Sequence, residues 1–310
     1  MKKISLFTFL FSLFYLVPVF AMEPVLSNPR EILYFPIERW RDNRYEVFRW
    51  DDFPEILIFD TSSFAVQDRL FKRLAFFVEK AGFRGRLMTD AEMTGLHGWN
   101  AHDYRAESLA EFFETARRVN FPLTREEREL QNLLFNAGII RRNSFSEIVP
   151  GRGAVLSLSR ESDRVNTSLR PRFMAHEAYH GLFFVDEDFR LFSRRRWDIF
   201  PEFAKDVLLA YFFIQEYDLN DEFLMVKEFK GHILQQSVTG ASWFFGEFLP
   251  NRLLDENSNF AVILPVREER SREGRRFWPD LARVFTEEAE AFSRYLNERW
   301  GFAAGRPWRQ

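Results

Sequence analysis

His176 and His180 stand four positions apart in a stretch, Met174 to Leu182, whose only charged side chain is Glu177. No other feature constrains the chain as much. On a helix, residues four apart leave the same face, so both imidazoles point to one place. Two such nitrogens can grip one divalent ion. Glu177 lies about 100° further round. There it can hold a water against the ion and take its proton as the water attacks a carbonyl. The uncharged neighbours, Met174, Ala175, Ala178, Tyr179, Gly181 and Leu182, suit a buried helix. Pro171 comes early enough to fall in a first turn, where proline is tolerated. A surface helix with two unrelated histidines is the bland alternative.

Catalytic zinc takes a third protein ligand and keeps one position open. Two carboxylates compete for that role. Asp186 has the spacing of the pattern His-Glu-x-x-His-x-x-Gly-x-x-His/Asp, the metzincin arrangement. Phe183 stands where that pattern has its turning Gly, so the helix is expected to run on and carry Asp186 away from His180. The other candidate is Glu202, which follows Pro201 and opens Glu202-Phe203-Ala204-Lys205-Asp206. In these residues the chain resembles the gluzincins, the thermolysin-like metallopeptidases. The resemblance spans about residues 154 to 206 and is specific only at the motif residues.

That resemblance implies zinc as cofactor, a peptide or protein as substrate, and Glu177 as general base. It implies Glu202 as third ligand on a second helix, with Asp206 one turn later supporting a ligand histidine. Without a metal, Glu202 is also what a helix dipole favours in a first turn. Asp198 is a further alternative ligand. Tyr211, Tyr217 and His232 are candidate donors to the oxyanion of a tetrahedral intermediate. The strand Ala154 to Ser159 stands where the substrate-binding edge strand stands in many zincins, and an extended peptide would pair with its backbone. The polar and aromatic run from His97 through His102 to Tyr104 is either a cleft rim or a helix-entry loop.

The N-terminus reads as a secretory signal peptide over residues 1–21. Lys2 and Lys3 precede an apolar stretch from Ile4 to Val17, Pro18 breaks it, and Ala21 suits the cleavage position. An uncleaved membrane anchor is the alternative, although the stretch is short for one. The chain has no cysteine, so disulfides, a lipidated cysteine and thiolate metal ligands are excluded, which suits a periplasmic or secreted protein. A net charge of −3 offers no cationic surplus for a phosphate backbone, so nucleic acid is a poor partner. There is no phosphate-cradling Gly loop, no dinucleotide fingerprint and no Gly-x-Ser-x-Gly elbow. The 38 phenylalanines read as core, with a few left to line an apolar groove.

The expected fold class is α+β: a mixed sheet-and-helix lobe over residues 22–186, a mainly helical lobe over 187–310, and the two-histidine helix at the cleft between them. Glu55 to Asp60 reads as a buried strand, Gly85 to Thr89 as a second, and Ala154 to Ser159 as a half-exposed one. Helices are expected over residues 68–80, 104–119, 124–137, 201–216, 221–238, 242–254 and 279–300. The helix from Thr124 carries a capping box with Glu127. A non-enzymatic reading competes: an exported zinc- or peptide-binding protein descended from a peptidase. An intact Glu177 and the lack of a cysteine to close the site favour the enzyme.

Overall fold

The computed structural model describes residues 23–309, so the leader expected over residues 1–21 lies outside the described residues. The first half alternates strands and helices: β1 Val25–Ser27, α1 Pro29–Tyr34, β2 Tyr45–Trp50, β3 Ile56–Thr61, α2 Phe64–Val78, β4 His102–Arg105, α3 Ala106–Arg118 and α4 Arg125–Asn136. A small hairpin, β5 Ile140–Arg142 with β6 Ile148–Pro150, leads to β7 Ala154–Ser159 and α5 Glu161–Val165. Helices then dominate: α6 Leu169–Val185, α7 Glu187–Ile199, α8 Glu202–Ile214, α9 Glu222–Leu234 and α10 Val238–Trp243. A π-helical turn, Phe244–Phe248, joins α10 to α11 Leu249–Glu256. A hairpin of two-residue strands, β8 Glu269–Arg270 with β9 Arg276–Phe277, precedes the long α12 Pro279–Trp300. The expected division into a mixed first part and a helical second part holds.

Five strands form one sheet in the order β1-β2-β3-β7-β4. β3 and β7 run parallel in the centre, and β4 pairs antiparallel with β7 at the edge. Side chains alternate across the sheet, and both faces are covered. Val47, Leu57, Phe59 and Val155 pack against α2, α3 and α4. Phe48, Ile58, Leu156 and Leu158 face the other way, into a core shared with α6 and the helices after it.

This double cover corrects the reading of Ala154 to Ser159. Its alternation of apolar residues with serine suggested a solvent face, yet all six residues are buried. Serine is small enough to be enclosed once its hydroxyl is satisfied, and Ser157 Oγ accepts from Gln67 Nε2 at 2.8 Å. The sheet's edges are β1 and β4, and β4 falls where the sequence reads as a cleft rim or loop entering a helix at Tyr104. Residues 85–89 form no strand either. They run as irregular chain after the turn at Gly85, where the Arg73 guanidinium donates to the Met88 carbonyl and Met88 packs on Phe76 and Met93. The capping box at Thr124 forms as expected, with Thr124 Oγ1 accepting from Glu127 N at 3.1 Å and Glu127 Oε2 accepting from Thr124 N at 2.8 Å.

Candidate metal centre

α6 lies against β7 and β4 on one side and α9 on the other. Two glycines set these approaches. A Cβ on Gly181 would stand 3.0 Å from Ile56 Cδ1 and 3.3 Å from Leu156 Cδ1, so its absence lets α6 settle on the sheet. A Cβ on Gly231 would stand 2.5 Å from His180 Cε1 and 2.9 Å from His176 Cε1, so α9 can come this close to both rings only with glycine there.

The approach brings Glu228, three residues before Gly231, onto the histidines. Its Oε2 lies 3.3 Å from His176 Nε2 and its Oε1 3.6 Å from His180 Nε2. The two Nε2 atoms are 2.8 Å apart. One ligand atom from each of His176, His180 and Glu228 lies within 4.8 Å of the others, and all three residues are buried. The donor set is two imidazole nitrogens and one carboxylate oxygen, which suits zinc with a position left open. Glu228 Oε2, Glu177 Oε2 and His232 Nε2 are buried with no hydrogen-bond partner, an arrangement that a cation or a polar ligand would satisfy. Glu177, His180 and Asp103 form a second, overlapping cluster of this kind.

A buried ammonium anchors the carboxylates. Lys227 Nζ lies 2.9 Å from Glu79 Oε1, 2.8 Å from Asp103 Oδ2 and 3.2 Å from Glu228 Oε1. Burial opposes ionisation of Glu228, but Lys227 and the two histidines outweigh it and hold this carboxyl well below its ordinary range. Glu177 behaves oppositely: burial, reinforced by the Asp103 charge, raises its proton affinity well above that of an ordinary glutamate. Lys230 Nζ sits 2.6 Å from His180 Nδ1. Burial lowers this lysine to about 7, so as a neutral amine it can accept the Nδ1–H that a histidine bound through Nε2 presents.

The other expected ligands lie elsewhere. Glu202 opens α8 with an 82% exposed side chain paired to Lys205 at 2.8 Å. α8 does reach the pocket at Tyr211, but Glu202 stands about 13 Å back along the helix axis. Asp206 is exposed, and it is Lys230 that meets His180 Nδ1. Asp186 ends α6 and caps α7: its Oδ1 accepts from Phe189 N at 2.7 Å and its Oδ2 from Arg299 at 2.8 Å. The helix therefore stops at Val185 instead of running on. Asp198 is exposed and paired with Arg194.

The candidate oxyanion donors are placed together. Tyr211, Tyr217 and His232 all line a pocket of about 420 Å³ that also exposes His176, Glu177 and Glu228. The His232 ring lies 4.8 Å from that of His176. The loop from His97 to Asp103 forms one rim, with Trp99 stacked on Tyr217 at 5.1 Å. His102 itself turns away, its Nδ1 2.9 Å from the Tyr104 hydroxyl in the core. Phe173, Phe244 and Phe248 supply apolar wall.

Sequence reasoning missed Glu228, Lys227 and Lys230. A signal was present. The segment Leu224 to Leu234 is apolar all round its helix, so Lys227, Glu228, Lys230 and His232 have no solvent face to occupy. Charges on a buried helix must be paired or bound to something, and a mid-helix glycine marks a close approach. We expect Gly231→Ala to lower zinc affinity about 10- to 100-fold while changing metal-free stability by less than about 2 kcal/mol, because overpacking is partly offset by helix propensity. Competition with a chromophoric chelator reads the first quantity and urea unfolding the second. Unchanged affinity would mean that the rings have room the geometry denies. Comparisons with protein-family models, curated proteins and solved structures gave no match.

Proposed function

We propose that this chain is an exported zinc metallopeptidase of gluzincin type, with His176, His180 and Glu228 as ligands and Glu177 as general base. The observation that carries the proposal is the convergence of that buried His-His-Glu set on one end of an open pocket. Export rests on the N-terminal Lys2, Lys3, apolar stretch and Ala21. Zinc held there supplies Lewis-acid polarisation of a water and of the scissile carbonyl.

The chain's own residues do the rest. Glu177 takes the proton of the attacking water on its unpartnered Oε2. Its raised proton affinity suits it to hold that proton and hand it to the leaving amine. Tyr211 accepts from Gln215 Nε2 at 3.1 Å, which leaves its own O–H free to donate to a developing oxyanion. Lys227 keeps Glu228 ionised and Asp103 in place.

Glu177→Gln tests this reading. Zinc content should stay at one ion per chain, and cleavage of a mixed peptide library, followed by mass spectrometry, should fall at least about 100-fold. A variant that cleaves as fast as wild type would remove Glu177 from the mechanism. Wild type that binds zinc and cleaves nothing would remove the peptidase.

A further inference from the structure

We infer that the pocket selects substrates by a carboxylate, bound between the guanidiniums of Arg172 and Arg252 with the amide of Gln236. The inference rests on the peptidase reading for its substrate class, though not for its geometry. Arg172 lies one helical turn before His176 on α6, so Arg172, His176 and His180 follow one another along a single face. Arg252 comes from α11, on another wall of the same pocket. Its guanidinium carbon is 5.7 Å above the Tyr211 ring. That ring stands 5.2 Å from His232, which stands 4.8 Å from His176. Arg252 is thus two aromatic rings away from the metal centre, a separation suited to a group one or two residues from the bond being cut.

Both arginines line the pocket half-buried, and neither forms an ion pair among the described residues. Each leans on a ring instead: Arg252 on Tyr211, and Arg172 on Trp243 at 5.9 Å. A guanidinium resting over a ring keeps its N–H fork free for a planar anion. Gln236 lines the same pocket. Its side chain is buried, with 4% of the residue exposed, and its Nε2 has no partner. A buried amide donor without an acceptor is costly unless a ligand supplies one. The carboxylates in the lining, Glu79, Asp103, Glu177 and Glu228, offer a substrate carboxylate no partner, and the Lys227 ammonium beside three of them is already taken up by those acids. A substrate's anionic end therefore turns toward the arginines. A carboxylate is the matching group in a peptide. It comes either from a free C-terminus or from an aspartate or glutamate side chain.

Binding to the full-length, zinc-replete chain separates these sources. The probes are N-acetyl-phenylalanine against its amide, and N-acetyl-glutamate amide against N-acetyl-glutamine amide, each titrated by calorimetry. We expect at least one acid to bind about 10- to 100-fold more tightly than its neutral partner, the value of a charge-assisted hydrogen-bond pair. In Arg172→Met and Arg252→Met the preference should fall below about 3-fold while the neutral probes bind as before. Preference in the first pair identifies a C-terminal carboxylate, and preference in the second an acidic side chain. Equal binding of acid and neutral probes by wild type overturns the inference. So does a preference that survives both substitutions, since the carboxylate would then sit on the ion. Carboxylate preference in a protein that cleaves no peptide retires the peptidase and leaves this site standing. Peptide cleavage indifferent to carboxylates does the reverse.

Discussion

Glu228→Ala is expected to empty the proposed site of zinc, whereas Glu202→Ala and Asp186→Ala should leave one ion per chain. Loss of one of three protein ligands is expected to cost on the order of 100- to 1,000-fold in affinity, a proportionate share of what a full ligand set contributes. Asp103 and Glu177 cluster with His180, but Asp103 is already engaged with Lys227 and neither carboxylate groups with both histidines as Glu228 does. Glu202 differs in kind. Its side chain is 82% exposed and meets only Lys205, so its removal should alter stability by less than about 0.5 kcal/mol and zinc affinity not at all. Asp186→Ala should destabilise the fold by about 1–2 kcal/mol, through loss of the α7 cap, and still bind zinc. Metal analysis of the three purified variants, with chelator competition for affinity, decides the matter. Release of zinc by Glu202→Ala with retention by Glu228→Ala would reverse the assignment.

Local signals were legible wherever a residue's neighbours in sequence are also its neighbours in space. Thr124 and Glu127 form their box because the two groups lie one helical turn apart whatever else the chain does. Helix α12 begins at Pro279 and ends at Trp300 as its proline and its Gly301 imply. His176, Glu177 and His180 converge for the same reason. What failed depended on contacts far along the chain. The strand at Ala154 looked half-exposed because alternation counts one covered face, and here α2 and α6 cover both. Asp186 read as a residue of a continuing helix, yet it serves as cap to the next one, a role its side chain could announce only together with the α7 that follows. The third ligand was sought by its distance in sequence from His180. Which carboxylate the fold brings to the two histidines is set by which helix crosses α6, and the crossing is made by α9, where Gly231 leaves room.

Lys227→Met should be among the most damaging single substitutions in this chain. The side chain is buried and its ammonium touches Glu79, Asp103 and Glu228 at 2.8–3.2 Å. Burial alone would drive the proton off. The three carboxylates overrule it and hold Lys227 well above the ordinary lysine value. Methionine fills a similar volume, so packing is nearly conserved and the loss is electrostatic. Three acids then share a water-poor space with Glu177, and breaking a buried pair of this kind costs about 3–5 kcal/mol. Urea unfolding of metal-free protein measures it without a contribution from the ion. A cycle with Asp103→Asn identifies the cause. If the damage is uncompensated charge, Asp103→Asn should recover part of the stability in the Lys227→Met background while costing stability on its own, giving a coupling of about 1–3 kcal/mol. Strict additivity would show instead that Lys227 acts through its aliphatic stem, which shares a small pocket with Leu224 and Phe184. Zinc affinity adds an independent reading. With Lys227 gone, nothing keeps Glu228 ionised except the histidines and any bound metal, so affinity should fall along with stability.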